Sequence, residues 1–269
     1  MNILEKIVET KKVEVARQKK VMPVAQLKKY PAYKRKCNSL KAALLKYNSS
    51  GIIAEFKQKS PSKGEINFGV KVEEVTKGYA DAGAAGLSVL TDYEYFGGTL
   101  ANLTKARETN PNIPILRKDF MIDSYQVVEA KAFGADVILL IATCLEKEQA
   151  ETLAKKAKSL GMEVLMEVHN ADELNLVNDF VDLVGVNNRN LKTFEVDVET
   201  SVKLAKLIPE RFVKISESGL AGADTIHYLR KHGFKGFLIG ERFMKQADPG
   251  KAAAEFIGSL GISKTGRPG

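Results

Sequence analysis

The sequence predicts an α/β fold, a closed (β/α)8 TIM barrel with an N-terminal helical extension, and three observations lead there. Eight short apolar runs rich in β-branched residues recur along the chain, amphipathic segments separate them, and the runs starting between residues 51 and 236 follow one another every ~26 residues, the length of a crossover unit. An open doubly wound sheet would carry a GxGxxG turn after its first strand, and none follows GIIAEFK. Eight such units close most economically into a barrel of roughly 250 residues.

In order, the expected strands are GIIAEFK (from Gly51), GLSVLT (from Gly86), IPILRKD (from Ile113), DVILLIA (from Asp136), MEVLMEV (from Met162), DLVGVNN (from Asp182), FVKISES (from Phe212) and GFLIG (from Gly236). Their near-continuous apolar character predicts a sheet covered on its outer face. VEEVTKGYADAGA, SYQVVEAKAFGA, KEQAETLAKKAKSLG and ADTIHYLRKHG are the intervening helices, several closed by a glycine that suits a left-handed C-terminal residue. Residues 1–50 stand outside the repeat as an extension packed on the barrel. There ILEKIVETKKVEVARQ sets Ile3, Leu4, Ile7 and Val8 on one helical stripe, Pro23 and Pro31 break the chain, and SLKAALLKY reads as a second amphipathic helix. The plain role for this extension is packing; the sharper one is that it lies over one mouth of the barrel and helps to enclose a ligand. Residues 51–261 then form the barrel, and 262–269, ISKTGRPG, are expected to be a flexible tail because they show no periodicity.

Composition narrows the function. With 44% hydrophobic and 28% charged residues the chain is globular, not disordered or fibrous. Its 41 basic against 33 acidic residues leave +8, a surface that attracts anions such as phosphate metabolites, nucleic acid or acidic lipid. Only 9 of the basic residues are Arg, and aromatics are 7% with no Trp, so nucleic acid, which is gripped by Arg forks and stacking rings, is not an expected partner. No apolar run approaches the roughly 18 residues of a bilayer span, so a membrane is not expected either. Cys37 and Cys144 form no CxxC pair, and His169, His227 and His232 complete no zinc spacing. Chemistry without metal or cofactor, in a reduced cytoplasmic compartment, is the expectation. The sequence sets no oligomeric state, and a monomer is compatible with it.

The active site of such a barrel forms at the C-terminal ends of its strands. Strand one carries Glu55 and Lys57 two apart, hence on one face, interrupting an apolar run; an inward Glu–Lys pair is either a buried ion pair of structural use or part of a site. Strand three ends in Lys118 and Asp119, strand five in Glu167, strand six in Asn187 and Arg189, strand seven in Glu217 and Ser218. Acids and bases converging on one desolvated rim are how pKa values are driven apart. His169, a lone histidine just past a strand end, reads instead as a loop residue. Gly219 and Gly240 follow strands seven and eight, where backbone NH groups can hold a phosphate, although tight turns would use glycine equally well.

The strings IIAEFKQKSPSKG (from Ile52), LTDYEYFGG (from Leu90), ILRKDF (from Ile115), ADVILLIA (from Ala135), LMEVHN (from Leu165), VGVNNRNL (from Val184), ISESG (from Ile215) and FLIGERFM (from Phe237) closely resemble indole-3-glycerol phosphate synthase over nearly the whole chain. The resemblance implies a lyase of tryptophan biosynthesis, one that cyclises 1-(2-carboxyphenylamino)-1-deoxyribulose 5-phosphate with loss of carbon dioxide and water, without cofactor or metal. It assigns Lys118 as general acid and Glu167 to the dehydration, with Glu55 and Lys57 completing the proton network. Asn187, Arg189, Glu217 and Ser218 resemble the family's remaining polar shell, Arg189 suiting the substrate carboxylate through its planar fork. Ser60, Gly219, Gly240 and the backbone at Glu241 resemble its phosphate contacts, and Phe96 belongs with the substrate-binding set. Glu241 departs from members that carry a small hydroxyl residue there, so its side chain is expected to turn from the anion and leave only its NH in use. Two other readings stay open at this stage. One is another sugar-phosphate barrel, such as an isomerase or epimerase, although phosphoribosylanthranilate isomerase would offer a Cys on strand one and none is there. The other is a lysine-rich barrel that binds RNA or an acidic partner without chemistry.

Overall fold

A computed structural model describes residues 3–191 and 193–261; the expected tail at 262–269 lies outside the described residues. Three helices come first, α1 (Ile3–Val21), α2 (Val24–Leu27) and α3 (Leu40–Leu45). The eight apolar runs then form strands β1 (Ile52–Phe56), β2 (Gly86–Leu90), β3 (Ile115–Lys118), β4 (Val137–Ile141), β5 (Glu163–Val168), β6 (Leu183–Asn187), β7 (Val213–Glu217) and β8 (Phe234–Ile239). Each pairs in parallel with the next and β8 pairs with β1, so the barrel closes. The last strand begins two residues before the expected Gly236, at Phe234, which is fully buried.

Helices α4 (Val72–Asp81), α5 (Leu100–Thr109), α6 (Ser124–Ala132), α7 (Lys147–Ser159), α8 (Glu199–Ala205) and α9 (Ala223–Lys231) fill six crossovers, and α10 (Glu241–Met244) and α11 (Pro249–Ser259) follow β8. Between β5 and β6 the crossover holds a single 3-10 turn, Asp172–Leu176, in place of an α-helix. Local chemistry explains the boundaries. Asp123 and Gln126 cap the start of α6 reciprocally, and Gly83 and Gly161, at φ +93° and +71°, end α4 and α7 in the left-handed conformation that a Cβ would oppose. The SPSKG string folds back on itself as a two-residue hairpin, Lys59–Ser60 against Gly64–Glu65, within the loop after β1.

Alternation along each strand divides the core in two. Ile52, Ala54, Val89, Ile138 and Val184 face the helices, while Ile53, Leu116, Leu139, Leu165 and Ile215 fill the barrel. The extension contributes to this inner core at both ends. Leu40 and Leu44 of α3 are fully or almost fully buried against the starts of β2 and β8, where a Cβ on Gly86 or Gly236 would strike them at 2.6 and 3.1 Å. Burial of each such leucine is worth roughly 1.5–3 kcal/mol. Glu163, at the start of β5, accepts hydrogen bonds from Ser39 and from the Leu40 and Lys41 amides, so a carboxylate sits at the N-terminus of α3. At the other end Ile7 of α1 joins the same core.

Between these ends α1 is pinned by Lys11. Its ammonium is 1% exposed and lies 3.0 Å from both Asp92 and Asp119 and 2.8 Å from Glu14. Burial alone would lower the Lys11 pKa, but Asp119 and Asp92 outweigh it and hold it above the ordinary lysine value. Burial likewise works against ionisation of Asp119, yet Lys11 and Arg117 bring it down to about 2 from the ordinary 3.8. Lys11→Met is therefore expected to destabilise the fold by about 3 kcal/mol, the scale of a broken buried pair. A carboxyl depressed in the folded state stabilises above its unfolded pKa and ceases to do so as pH falls through the folded one. The gap between wild type and variant in urea unfolding should thus be full between pH 3.8 and 10.5, narrow toward about 2, and narrow again above 10.5 as Lys11 loses its proton. Equal stability of the two proteins at neutral pH would contradict this role for Lys11.

Candidate active site

The inward parity that fills the barrel with Leu and Ile places a different residue at the top of each strand. The odd-numbered strands end inward in charge, with Glu55 on β1, Lys118 on β3, Glu167 on β5 and Glu217 on β7. The even-numbered ones supply Leu90, Ile141, Asn187 and, just past β8, Gly240. Register sets Leu90 beside Lys118, Ile141 beside Glu167 and Asn187 beside Glu217. Contributions from alternate strands are how such a barrel interior is layered. All eight residues line one cavity of about 500 Å³.

Lys118 is its centre. Nζ lies 2.5 Å from Glu217 Oε2 and 3.1 Å from Glu167 Oε2. Glu167 Oε1 accepts a hydrogen bond from Asn187 Nδ2 at 3.0 Å, and Asn187 Oδ1 accepts from Ser218 Oγ at 2.9 Å and from the Arg189 amide at 3.0 Å. Glu55 is held separately, with Lys57 Nζ 3.0 Å from Oε1 and Ser88 Oγ donating to Oε2 at 3.2 Å. Burial would strip the proton from Lys118, but Glu167, Glu217 and Glu55 overcome it and raise its pKa above the ordinary lysine value. Burial also disfavours both carboxylates. For Glu167 the Lys118 charge, joined by His169, prevails and lowers the pKa; for Glu217 burial prevails, aided by the negative charge of Glu167, and the pKa rises. Glu217 Oε1 has no hydrogen-bond partner among the described residues. The arrangement thus offers an ammonium that keeps its proton, a carboxylate that stays ionised, and a second carboxyl that holds a proton more readily.

All thirteen residues expected at the site line this cavity: Glu55, Lys57, Ser60, Phe96, Lys118, Glu167, Asn187, Arg189, Glu217, Ser218, Gly219, Gly240 and Glu241. Asp119 lines it too, but its carboxylate is engaged by Lys11, Arg117 and Thr91. A Cβ on Gly240 would lie 2.6 Å from Glu55 Oε1, and one on Gly219, at φ +73°, 2.5 Å from Val196 Cγ1. An added methyl would therefore displace Glu55 or Val196, so alanine at either position would disturb the site whether or not an anion is bound.

Several lining residues escaped the sequence reading. Arg242 and Lys245 add positive charge near Ser60, Gly219 and Gly240, and Phe120, Leu139, Leu238 and Phe194 build an apolar wall. Phe120 packs against Phe96 with ring centroids 5.9 Å apart. Ile3, Leu4 and Ile7 of α1 also line the cavity, which favours the enclosing role over plain packing. Gly185 on β6 was missed as well: a Cβ there would come 2.5 Å from Glu217 Oε1, so only a glycine leaves that carboxylate its place. His169 is no open loop residue, since its side chain is 11% exposed and its Nε2 lies 3.3 Å from Glu167 Oε1. Among the described residues no group of three His, Cys, Asp or Glu could hold a metal ion, and no helix is long and apolar enough to cross a membrane.

Comparison with known proteins agrees with this geometry. In fold, the chain resembles 3-hexulose-6-phosphate synthase from Salmonella typhimurium, with a TM-score of 0.62 at 13% identity over 78% of this chain and 97% of that one. A second 3-hexulose-6-phosphate synthase structure gives a TM-score of 0.60 at 14% identity, over 78% of this chain and 99% of that one. At such identity these show the barrel and nothing more. In sequence, it is 45% identical to the indole-3-glycerol phosphate synthase of Bacteroides thetaiotaomicron over 96% of this chain and 99% of the relative. It is 42% identical to that of Polynucleobacter asymbioticus over 95% and 99%. The family model described as indole-3-glycerol phosphate synthase matches residues 4–256. The chain therefore belongs to the indole-3-glycerol phosphate synthase family, carboxy-lyases of tryptophan biosynthesis.

Proposed function

We propose that this chain cyclises 1-(2-carboxyphenylamino)-1-deoxyribulose 5-phosphate, with Lys118 as the acid that protonates the ketone oxygen during ring closure. The observation that carries this is the Lys118 ammonium, kept charged between Glu167 and Glu217 at the centre of the cavity. An aromatic carbon attacks a ketone readily only if the oxygen's developing charge is neutralised, and an ammonium supplies both field and proton. Loss of carbon dioxide then returns the bonding electrons to the ring. Departure of water needs a proton delivered to the hydroxyl and another taken from carbon. Glu167 is the acceptor in this scheme, and Lys57, paired with Glu55, is the second donor. Asn187 holds Glu167, Ser218 holds Asn187, and Glu217 keeps Lys118 in place.

The same reading gives each end of the substrate a partner. Ser60, the amides of Gly219, Gly240 and Glu241, and the charges of Arg242 and Lys245 suit the phosphate; Arg189 suits the carboxylate; Phe96 and Phe120 suit the aromatic ring. In this division of labour α1, within the extension that precedes residue 51, walls the cavity and the units that follow form the barrel. With Cys37 and Cys144 both free, the protein suits the reducing cytoplasm.

Fluorescence of the indole product tests the assignment. Lys118→Met is expected to fold and to keep most of its substrate affinity, but to turn over at least about a hundredfold more slowly, the lower range for loss of a general acid. Near-normal turnover would remove Lys118 from that role. Gly185→Ala, which touches no substrate in this scheme, should lower kcat about tenfold by pushing Glu217 from its place. An unchanged kcat in that variant would mean that the position of Glu217 is not critical.

A further inference from the structure

We infer that His169 is a positioning residue for Glu167, holding that carboxylate ionised and in place from the side opposite Lys118. The inference rests on the reading of Glu167 as a proton acceptor. His169 does not itself border the cavity, so its influence passes through Glu167. It follows β5 directly, and its imidazole lies between two carboxylates: Nε2 is 3.3 Å from Glu167 Oε1, and Nδ1 is 3.1 Å from Glu173 Oε2. The backbone fixes this arrangement, because the His169 amide donates to Glu173 Oε2 at 2.7 Å. Glu173 Oε1 accepts in turn from Thr143 Oγ1 at 2.9 Å and from Asn170 Nδ2 at 2.8 Å. Glu173 sits in the 3-10 turn that replaces a crossover helix between β5 and β6, and this short turn is what brings it back to the strand end.

A neutral imidazole has one NH and would turn a lone pair toward one of the two carboxylates. A protonated ring presents an NH to each. Nε2 is buried without a hydrogen-bond partner among the described residues, so its link to Glu167 is an ion pair rather than a formed hydrogen bond. Burial works against the charge on His169, but Glu167 and Glu173 prevail and raise its pKa to about 10. The other titratable groups nearby do not supply that charge. Cys144 is kept neutral by burial, its thiol pushed up to about 12, while Lys118 meets the other Glu167 oxygen, Oε2, and Glu217 meets Lys118. Glu55, Glu167 and Glu217 then face three cations, Lys57, Lys118 and His169. Without His169, Glu167 would keep the neutral hydrogen bond from Asn187 and one cation, Lys118, which it shares with Glu217.

The sign of the effect follows. Removing a cation beside Glu167 raises its pKa, and a base fails as pH falls through its pKa, so the acid limb of the rate must move to higher pH. The test is single-turnover rate and steady-state kcat and KM against pH for wild type, His169→Ala, His169→Gln and Glu167→Gln. His169→Ala is expected to lose about tenfold in kcat with KM little changed, less than the hundredfold expected when the proton-transferring group itself is removed. Its acid limb should lie at higher pH than in wild type. His169→Gln, which returns a donor near the Nε2 position but no charge, should recover part of kcat and keep the displaced limb. An acid limb at the wild-type pH in either variant overturns the inference, whatever the loss in rate, since a purely structural role would not move it. If His169→Ala does not fold, the limb of His169→Gln decides. Glu167→Gln separates the two levels: normal turnover in it would bring down the Glu167 reading and this inference together. An impaired Glu167→Gln with unmoved limbs in the His169 variants would overturn the inference alone.

Discussion

One largely buried ammonium, that of Lys118, sets the conditions under which the rest of the barrel mouth is built. An ion taken out of water into a protein interior costs several kcal/mol unless it is paired and hydrogen-bonded. The barrel meets that requirement by closure: strands far apart in sequence deliver Glu55, Glu167 and Glu217 to the same cavity. Two carboxylates on one lysine, with Glu55 and its Lys57 close by, then create the opposite difficulty of like charges side by side. The structure resolves it unequally, by lowering the pKa of Glu167 and raising that of Glu217. Such an inequality is how two groups of one chemical type come to hold different protonation states at one pH.

The extension is joined to this cluster through consecutive residues at the end of β3. Lys118 turns into the cavity, and Asp119 turns to Lys11 of α1 and to Arg117. Strand alternation thus ties the anchor of the enclosing helix to the residue proposed as the acid, with no residue between them. Ile3, Leu4 and Ile7, about one to two turns from Lys11, complete the apolar wall. Excluding water on that side strengthens each ion pair beneath it. Packing and enclosure are therefore one function of α1.

Much of this was legible in the sequence for a physical reason. Parallel strands covered on both faces read as apolar runs, so a Glu, Lys or Asn breaking such a run near its end is conspicuous. That is why Glu55, Lys118, Glu167, Asn187 and Glu217 could be picked out. What stayed hidden depends on contacts between runs. Gly185 looks like filler in LVGVN until the folded barrel brings the Glu217 carboxylate against it. Gly240 invites a phosphate reading because its neighbour Glu55 is 185 positions away in sequence. His169 reads as a loop residue because nothing in LMEVHNADEL shows that its crossover is a 3-10 turn that folds Glu173 back onto it. Lys11 lies in a run of charges that resembles any solvated helix face, and only the folded chain reveals that it is buried.

The central claim is that Lys118 is an ammonium poised as an acid, not a neutral amine poised as a nucleophile. Nitrogen NMR of the lysine side chains, with Lys118 identified by its absence from the Lys118→Met spectrum, reports that charge state directly as pH is raised. The account predicts that the Lys118 resonance keeps its ammonium shift after the exposed lysines have begun to titrate near their ordinary value of 10.5, and that it moves to lower pH when Glu167 or Glu217 is replaced by glutamine. A Lys118 nitrogen already neutral at the pH where the protein is active would contradict it.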